Sequence, residues 1–235
     1  MDAFNVVWHR ITASQPVPQH DVIVGAAVIA GLVVLVRATW EPTRHLVTIV
    51  HEGAHGLVAA VTGRKLAGIR LHSDSSGVTV SRGKPRGPGM VATAAAGYVG
   101  PALLGLLCAW LLDLGHAVAV LWLLLVLLAA LLLQIRNIYG FFVVVVVGVA
   151  LFVVSWRLDV QKQVAVAYLV TWFLLLAAPR PVWELQAARR RGRVRGSDAD
   201  QLGRLTPLPA IAWVGLFLLV TLGSLVVGAS MLLVG

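Results

Sequence analysis

Seven apolar runs, at roughly 22–40, 44–63, 90–112, 116–135, 138–156, 162–179 and 208–233, leave this chain few ways to fold. Each is long enough, or nearly so, to cross a hydrocarbon core of about 30 Å as a helix. With 59% hydrophobic residues, 12% charged ones and a mean hydropathy of +0.88, there is too little polar surface to cover a soluble globule. The chain therefore reads as an all-α, polytopic membrane protein of about seven transmembrane helices, one membrane domain over 1–235. Its parts are a core at 22–179, a basic loop at 180–207 and a last span at 208–233. Residues 1–21 are mixed, contain Pro16 and Pro18, and show no secretory signal, so the first run is expected to stay as an anchor.

Lys and Arg divide unevenly between the two sides that seven crossings define. Fifteen lie with the N-terminus (Arg10, the 64–86 loop, Arg136, the 180–204 loop) and four opposite (Arg37, Arg44, Arg157, Lys162). That bias puts the N-terminus in the cytoplasm and the C-terminus outside, in a multi-pass protein of the cell membrane. The net charge of +9 does not indicate a nucleic-acid partner, because the cations are confined to loops between membrane runs, where they set topology and meet anionic lipid of the bilayer. The single Cys108, in an apolar run, excludes an internal disulfide and reads as a packed thiol.

Between the second and third runs the hydrophobic period changes. Ile69 and Leu71 alternate with Arg70 and His72, and Val78 and Val80 with Thr79 and Ser81, while Asp74-Ser75-Ser76-Gly77 supplies a turn. The pattern predicts a short cytoplasmic β-hairpin over 66–82. In the third run, Gly97, Gly100 and Pro101 in the phrase AGYVGPALLG read as small residues for close helix packing. At 131–140, LLLQIRNIYG, Arg136 reads as a snorkelling anchor and Asn137 as a helix cap.

The second run, LVTIVHEGAHGLVAAVTG over 46–63, carries His51, Glu52 and His55 inside an otherwise apolar segment. An ionisable group at mid-span costs about 2.5–3.5 kcal/mol on insertion scales, so a function is the first hypothesis. His51 and His55 are four residues apart, on one helix face, the spacing with which two imidazoles share a zinc ion. Glu52 is then placed to take a proton from a water beside the metal. The bland alternatives are a buried polar cluster satisfied by neighbouring helices, or a proton or metal-ion conduit. The few polar residues at mid-depth in spans three to seven argue against the conduit. A catalytic zinc ordinarily takes three protein ligands, so one more is required from elsewhere.

These residues resemble the site-2 protease family of intramembrane zinc metalloproteases, most closely its compact, actinobacterial-type branch. The likeness covers the HEGAH span, the hairpin after it, and a Gly-Pro span leading to the end of the fourth helix. The resemblance implies an endopeptidase that cuts transmembrane segments of other proteins, with His51 and His55 as zinc ligands and Glu52 as catalytic base. In that family a later Leu-Asp-Gly motif supplies the third ligand. Its pattern falls on 131–140, where Tyr139 occupies the aspartate position, Leu131 the asparagine position, and Gln134 and Asn137 the proline positions. The site of the family opens toward the cytoplasm, which leaves Asp74, Asp198 and Asp200 as carboxylates on the right side. Asp198 or Asp200 is favoured, because a short helix at the foot of the last span can fold back on the core, while Asp74 already makes a turn. Ser197 with Asp200 also forms a capping-box pattern, a structural use for that carboxylate. Tyr139 supports a second expectation, a non-hydrolytic membrane scaffold that keeps the fold.

Overall fold

The computed structural model describes residues 3–193 and 196–234, so Arg195 of the basic run lies outside the described residues. In chain order the elements are α1 (Ala3–Thr12), α2 (His20–Leu35), α3 (Arg37–Val61), β1 (Lys65–Leu71), β2 (Gly77–Arg82), α4 (Pro88–Asp113), α5 (Ala117–Leu132), α6 (Ile138–Arg157), α7 (Val160–Ala177), α8 (Pro179–Arg190), α9 (Asp198–Leu205) and α10 (Ala210–Val234). The chain is largely helical, with one hairpin, as the patterning predicts.

The number of crossings is smaller than expected. Among the described residues, α4, α6, the α7–α8 stretch Val160–Arg190 and α10 are long and apolar enough to cross a bilayer. A fifth crossing requires α2 and α3 to be taken together, since they meet at 99° across the extended residue Val36. The runs at 22–40 and 44–63 are thus arms of one bent pair, because the first part of α3 carries Arg37, Glu41, Arg44 and His45 and is too polar to be a second span. Helix α5 is apolar but has 16 residues, about 24 Å at 1.5 Å per residue, which is short of the hydrocarbon core. The count is therefore four or five, not seven.

Taking α2 and α3 as one bent pair rearranges the sides. Arg44, expected outside, is 3.5 Å from Glu184, which was expected in the cytoplasm. The Gln15 amide donates to the Gly115 carbonyl at 2.7 Å, and the Gln15 side-chain oxygen accepts from the Val118 amide at 3.0 Å. Gln15 therefore lies at the α4–α5 turn, whereas the start of α4 packs on Thr62 beside the hairpin, where a Cβ at Gly89 would be 3.2 Å from Thr62 Cβ. The N-terminal segment and the hairpin, expected on one side, stand at opposite ends of α4.

Strand β1 pairs antiparallel with β2, with Ile69 opposite Thr79 and Leu71 opposite Gly77. The other edge of β1 is covered by the α5–α6 connection. Ile69 donates to the Gln134 carbonyl at 2.8 Å and accepts from the Arg136 amide at 2.9 Å. Asn137 continues this pairing with its side chain, accepting from the Leu71 amide at 3.2 Å and donating to the Leu71 carbonyl at 2.7 Å. It sits at the cap position of α6 but makes no side-chain cap bond there, so it is a strut to the hairpin. Arg136 folds back onto the Leu133 and Ile135 carbonyls at 2.8 and 3.0 Å.

Three apolar clusters fix these parts. The largest joins α2, α3, α4, α5 and α7 around Trp40, Cys108, Leu121 and Leu175, and buries the lone thiol. A second holds Ile69 and Leu71 of the hairpin against Ile49, Leu131 and Val144. The third closes Ala199 and Leu202 of α9, both fully buried, against Val182 and Leu185 of α8 and Val214 and Phe217 of α10. The short helix before the last span thus folds back on the core, as its sequence suggests.

Candidate metal centre

His51 and His55 project from one face of α3, four residues apart, and their Nε2 atoms are 3.1 Å from each other. Asp198, the first residue of α9, brings Oδ2 to 3.2 Å from His51 Nε2 and 3.3 Å from His55 Nε2. These are the residues that can hold a metal ion together. Ligands about 2.0–2.1 Å from a tetrahedral zinc lie about 3.3 Å from one another, so the triangle has the edge length such an ion requires. Two imidazoles and one carboxylate leave a fourth position open, the donor set of a catalytic rather than a structural zinc.

The surroundings fit the same purpose. His55 Nδ1 donates to the Thr93 carbonyl at 2.6 Å, which puts the proton on Nδ1 and leaves the Nε2 lone pair facing the centre. Gly97 of α4 backs the two rings: a Cβ there would be 2.5 Å from His51 Nε2 and closer still to His55 Nε2. Tyr98 stands edge-on to His51, ring centroids 4.9 Å apart, and stacks on Phe217 at 5.1 Å.

Glu52, one residue on from His51, is turned roughly 100° around the helix toward the hairpin. It is 5% exposed. The Thr79 hydroxyl donates to Glu52 Oε2 at 2.6 Å, and Gly77 lies so close that a Cβ would be 2.6 Å from Glu52 Cγ. On β2 the polar Thr79 faces the site, while Val78 and Val80 are about half exposed, an inversion suited to a strand with lipid outside.

The remaining sequence candidates are used elsewhere. Asp200 accepts from the Gly196 and Ser197 amides, both at 3.1 Å, and from Ser197 Oγ at 2.8 Å, and it pairs with Arg189. It is the capping carboxylate of α9 and not one of the three converging groups. Asp74 caps its own turn, accepting from the Ser76 amide at 2.9 Å. Tyr139 meets His45, with its hydroxyl 2.9 Å from Nε2. Gly97, Thr93, Thr79 and Tyr98 were not singled out from sequence as site residues. Only Gly97 carried a signal, within a phrase that reads equally well as helix packing. A cavity of about 970 Å³ lies on the other face of α3, lined by Leu46, Val50, Gly53 and Leu57, and is separate from the three ligands.

A family model described as Peptidase M50B-like matches residues 24–228. No curated protein and no solved structure matches the chain.

Proposed function

From its place in the Peptidase M50B-like family, to which this chain belongs, within the site-2-protease-like superfamily, we propose that it is a zinc-dependent intramembrane endopeptidase that cuts transmembrane segments of other membrane proteins. The observation that carries this reading is the meeting of His51, His55 and Asp198 at zinc-ligand spacing, one residue from a buried glutamate. A zinc ion held there supplies a Lewis acid for the scissile carbonyl and lowers the pKa of water. Glu52 takes the proton of the attacking water and returns it to the leaving amine. Thr79 keeps Oε2 of that carboxylate in one orientation.

A helical substrate must unwind before its carbonyls can be reached, since they are bonded within the helix. Among the described residues the outer edge of β2 carries no further strand, so it can receive the unwound segment by strand addition beside Glu52. The loops at 64–86 and 180–204 hold 13 of the 19 Lys and Arg residues, which supports a site facing the cytoplasm. With Gln15 at the far end of α4, the N-terminal segment is then outside, together with the end of α10. The scaffold reading rested on Tyr139 standing where the resemblance expects a carboxylate, and Asp198 offsets that loss.

The test is metal content and cleavage together. Purified wild type should carry one zinc per chain, retained in Glu52→Gln and lost in His51→Ala/His55→Ala and in Asp198→Ala. Membranes expressing wild type should release fragments cut within transmembrane segments that are absent with Glu52→Gln. Wild type that takes up no zinc, or identical fragments from both, overturns the proposal.

A further inference from the structure

The two histidines are set by a 25-residue helix, but Asp198 opens a helix of only eight residues. Something must hold that short helix in register, because a ligand atom has to lie within about 0.2 Å of its ideal distance. The buried Ala199 and Leu202 fix how closely α9 approaches the core. Apolar contacts of that kind are non-directional and tolerate small slides and rotations.

The directional contacts lie on the far side of Asp198. Asp200 Oδ2 gathers three donors from Gly196 and Ser197, and Oδ1 takes the Arg189 guanidinium from the last turn of α8. Both side chains are largely withdrawn from solvent, 21% and 20% exposed, so the pair is screened less than a surface ion pair. Helix α8 is itself tied to α3. Glu184 accepts from Trp40 Nε1 and Arg180 Nε, both at 3.0 Å, and meets Arg44 at 3.5 Å, while Arg180 lies over the Trp40 ring at 4.4 Å. A closed circuit results: from the histidines along α3 to Trp40, across Glu184 to α8, across Arg189 to α9, and back to the histidines through Asp198.

Building on the proposed zinc site, we infer that the Arg189–Asp200 pair is its positioning device, holding α9 in the register that presents Asp198 to His51 and His55. Arg189 touches no ligand and acts through Asp200 and, at 3.5 Å, through Ser197 Oγ. A guanidinium suits the task because its planar, fixed N–H directions set orientation as well as distance.

The experiment measures zinc affinity of the full chain in detergent by competition with a chromophoric chelator. Arg189→Met and Asp200→Asn should each raise Kd about 10–100-fold, the range for losing a partner that orients a ligand. Arg189→Met/Asp200→Asn should be no worse than the weaker-binding single variant, and Arg189→Lys should recover part of the loss. With cobalt in place of zinc, the visible spectrum of Arg189→Met should move toward that of Asp198→Ala. Helix content and melting of the metal-free proteins separate loss of register from loss of fold, and if Arg189→Met does not fold, Asp200→Asn and Arg189→Lys decide the matter. A Kd within twofold of wild type in folded variants, or additive losses in the double variant, overturns the inference. Wild type that binds no zinc fails the proposed function first and this inference with it.

Discussion

Gly97→Ala removes no ligand and no hydrogen bond, yet it should empty the metal centre. The new methyl would stand 2.5 Å from His51 Nε2 and 2.6 Å from His51 Cε1, and nearer still to His55 Nε2. Carbon contacts settle at about 3.5–4.0 Å, so the rings would have to retreat by roughly 1 Å. A shift of the α3 backbone away from α4 would give up the close packing of Gly100, one turn further along α4, on Ala54. The rings must turn instead, and turning His55 breaks its bond to the Thr93 carbonyl. Overpacking of this kind costs about 1–3 kcal/mol, which leaves a folded chain. The ligand triangle, which has edges of 3.1–3.3 Å, does not survive a displacement of that size. The assay is zinc stoichiometry of detergent-purified protein beside its thermal melting curve. Gly100→Ala serves as the control: its methyl crowds Ala54 across the same helix pair but touches no imidazole, so it should lower stability to a similar degree and keep the metal if folded. Gly97→Ala protein that binds one zinc with wild-type affinity would refute the geometry argued here.

Two further outcomes follow from the same structure. Tyr139→Phe should leave zinc content unchanged and remove only the bond to His45, because Tyr139 stands where the resemblance expects a ligand but is engaged elsewhere; loss of metal in this variant would contradict Asp198 as the third ligand. Burial would raise the Asp200 carboxyl, but Arg189 and Ser197 lower it to about 2, so its folded-state value is depressed. Its contribution is then complete above the ordinary carboxylate value of about 3.9 and is lost as pH falls through about 2. Trp213, one of eight tryptophans, is bonded to Thr206 at the end of α9 at 3.0 Å, so the fluorescence difference between metal-free wild type and Trp213→Phe reports on that helix and should hold to about pH 3. A transition near pH 4–5 in wild type would contradict the Arg189–Asp200 pairing.

Much of the centre could be read from residues alone, for a physical reason. His51, Glu52 and His55 share one helix, so their relation depends only on helical periodicity, and the burial of Glu52 and His55 with the partial burial of His51 follows from the apolar residues around them. Asp198 and Asp200 were both candidates, and the capping-box pattern held the answer. A carboxylate three residues after Ser197 is consumed by backbone amides, which leaves Asp198 at the first turn to face outward. Gly97 and Thr79 were illegible as site residues, since each acts across a tertiary contact that no local period encodes. The crossing count failed at Val36. Hydropathy measures how apolar a run is, not which way it points, and a 99° bend makes two runs into one passage. The Gln15 segment and the hairpin therefore lie at opposite ends of α4, where seven crossings expect them together.

The segment 131–140, where the resemblance expects a ligand, serves the hairpin instead. Gln134 and Arg136 extend the hairpin through their backbones, and Asn137 extends it through its side chain. Gly140 leaves room for that amide, since a Cβ there would be 2.7 Å from Asn137 Oδ1. The segment therefore steadies β1, β1 steadies β2, and β2 holds Glu52 through Thr79 and Gly77. On the neighbouring face of α3, about 100° around, α8 and α9 hold Asp198 against the histidines. Glu52 and the three candidate ligands are thus supported by separate elements on adjacent faces of one helix. On this arrangement Tyr139, where the resemblance expects a carboxylate, is compatible with the proposed hydrolysis, because the connection it belongs to supports the hairpin against Glu52 and Asp198 of α9 stands with the two histidines.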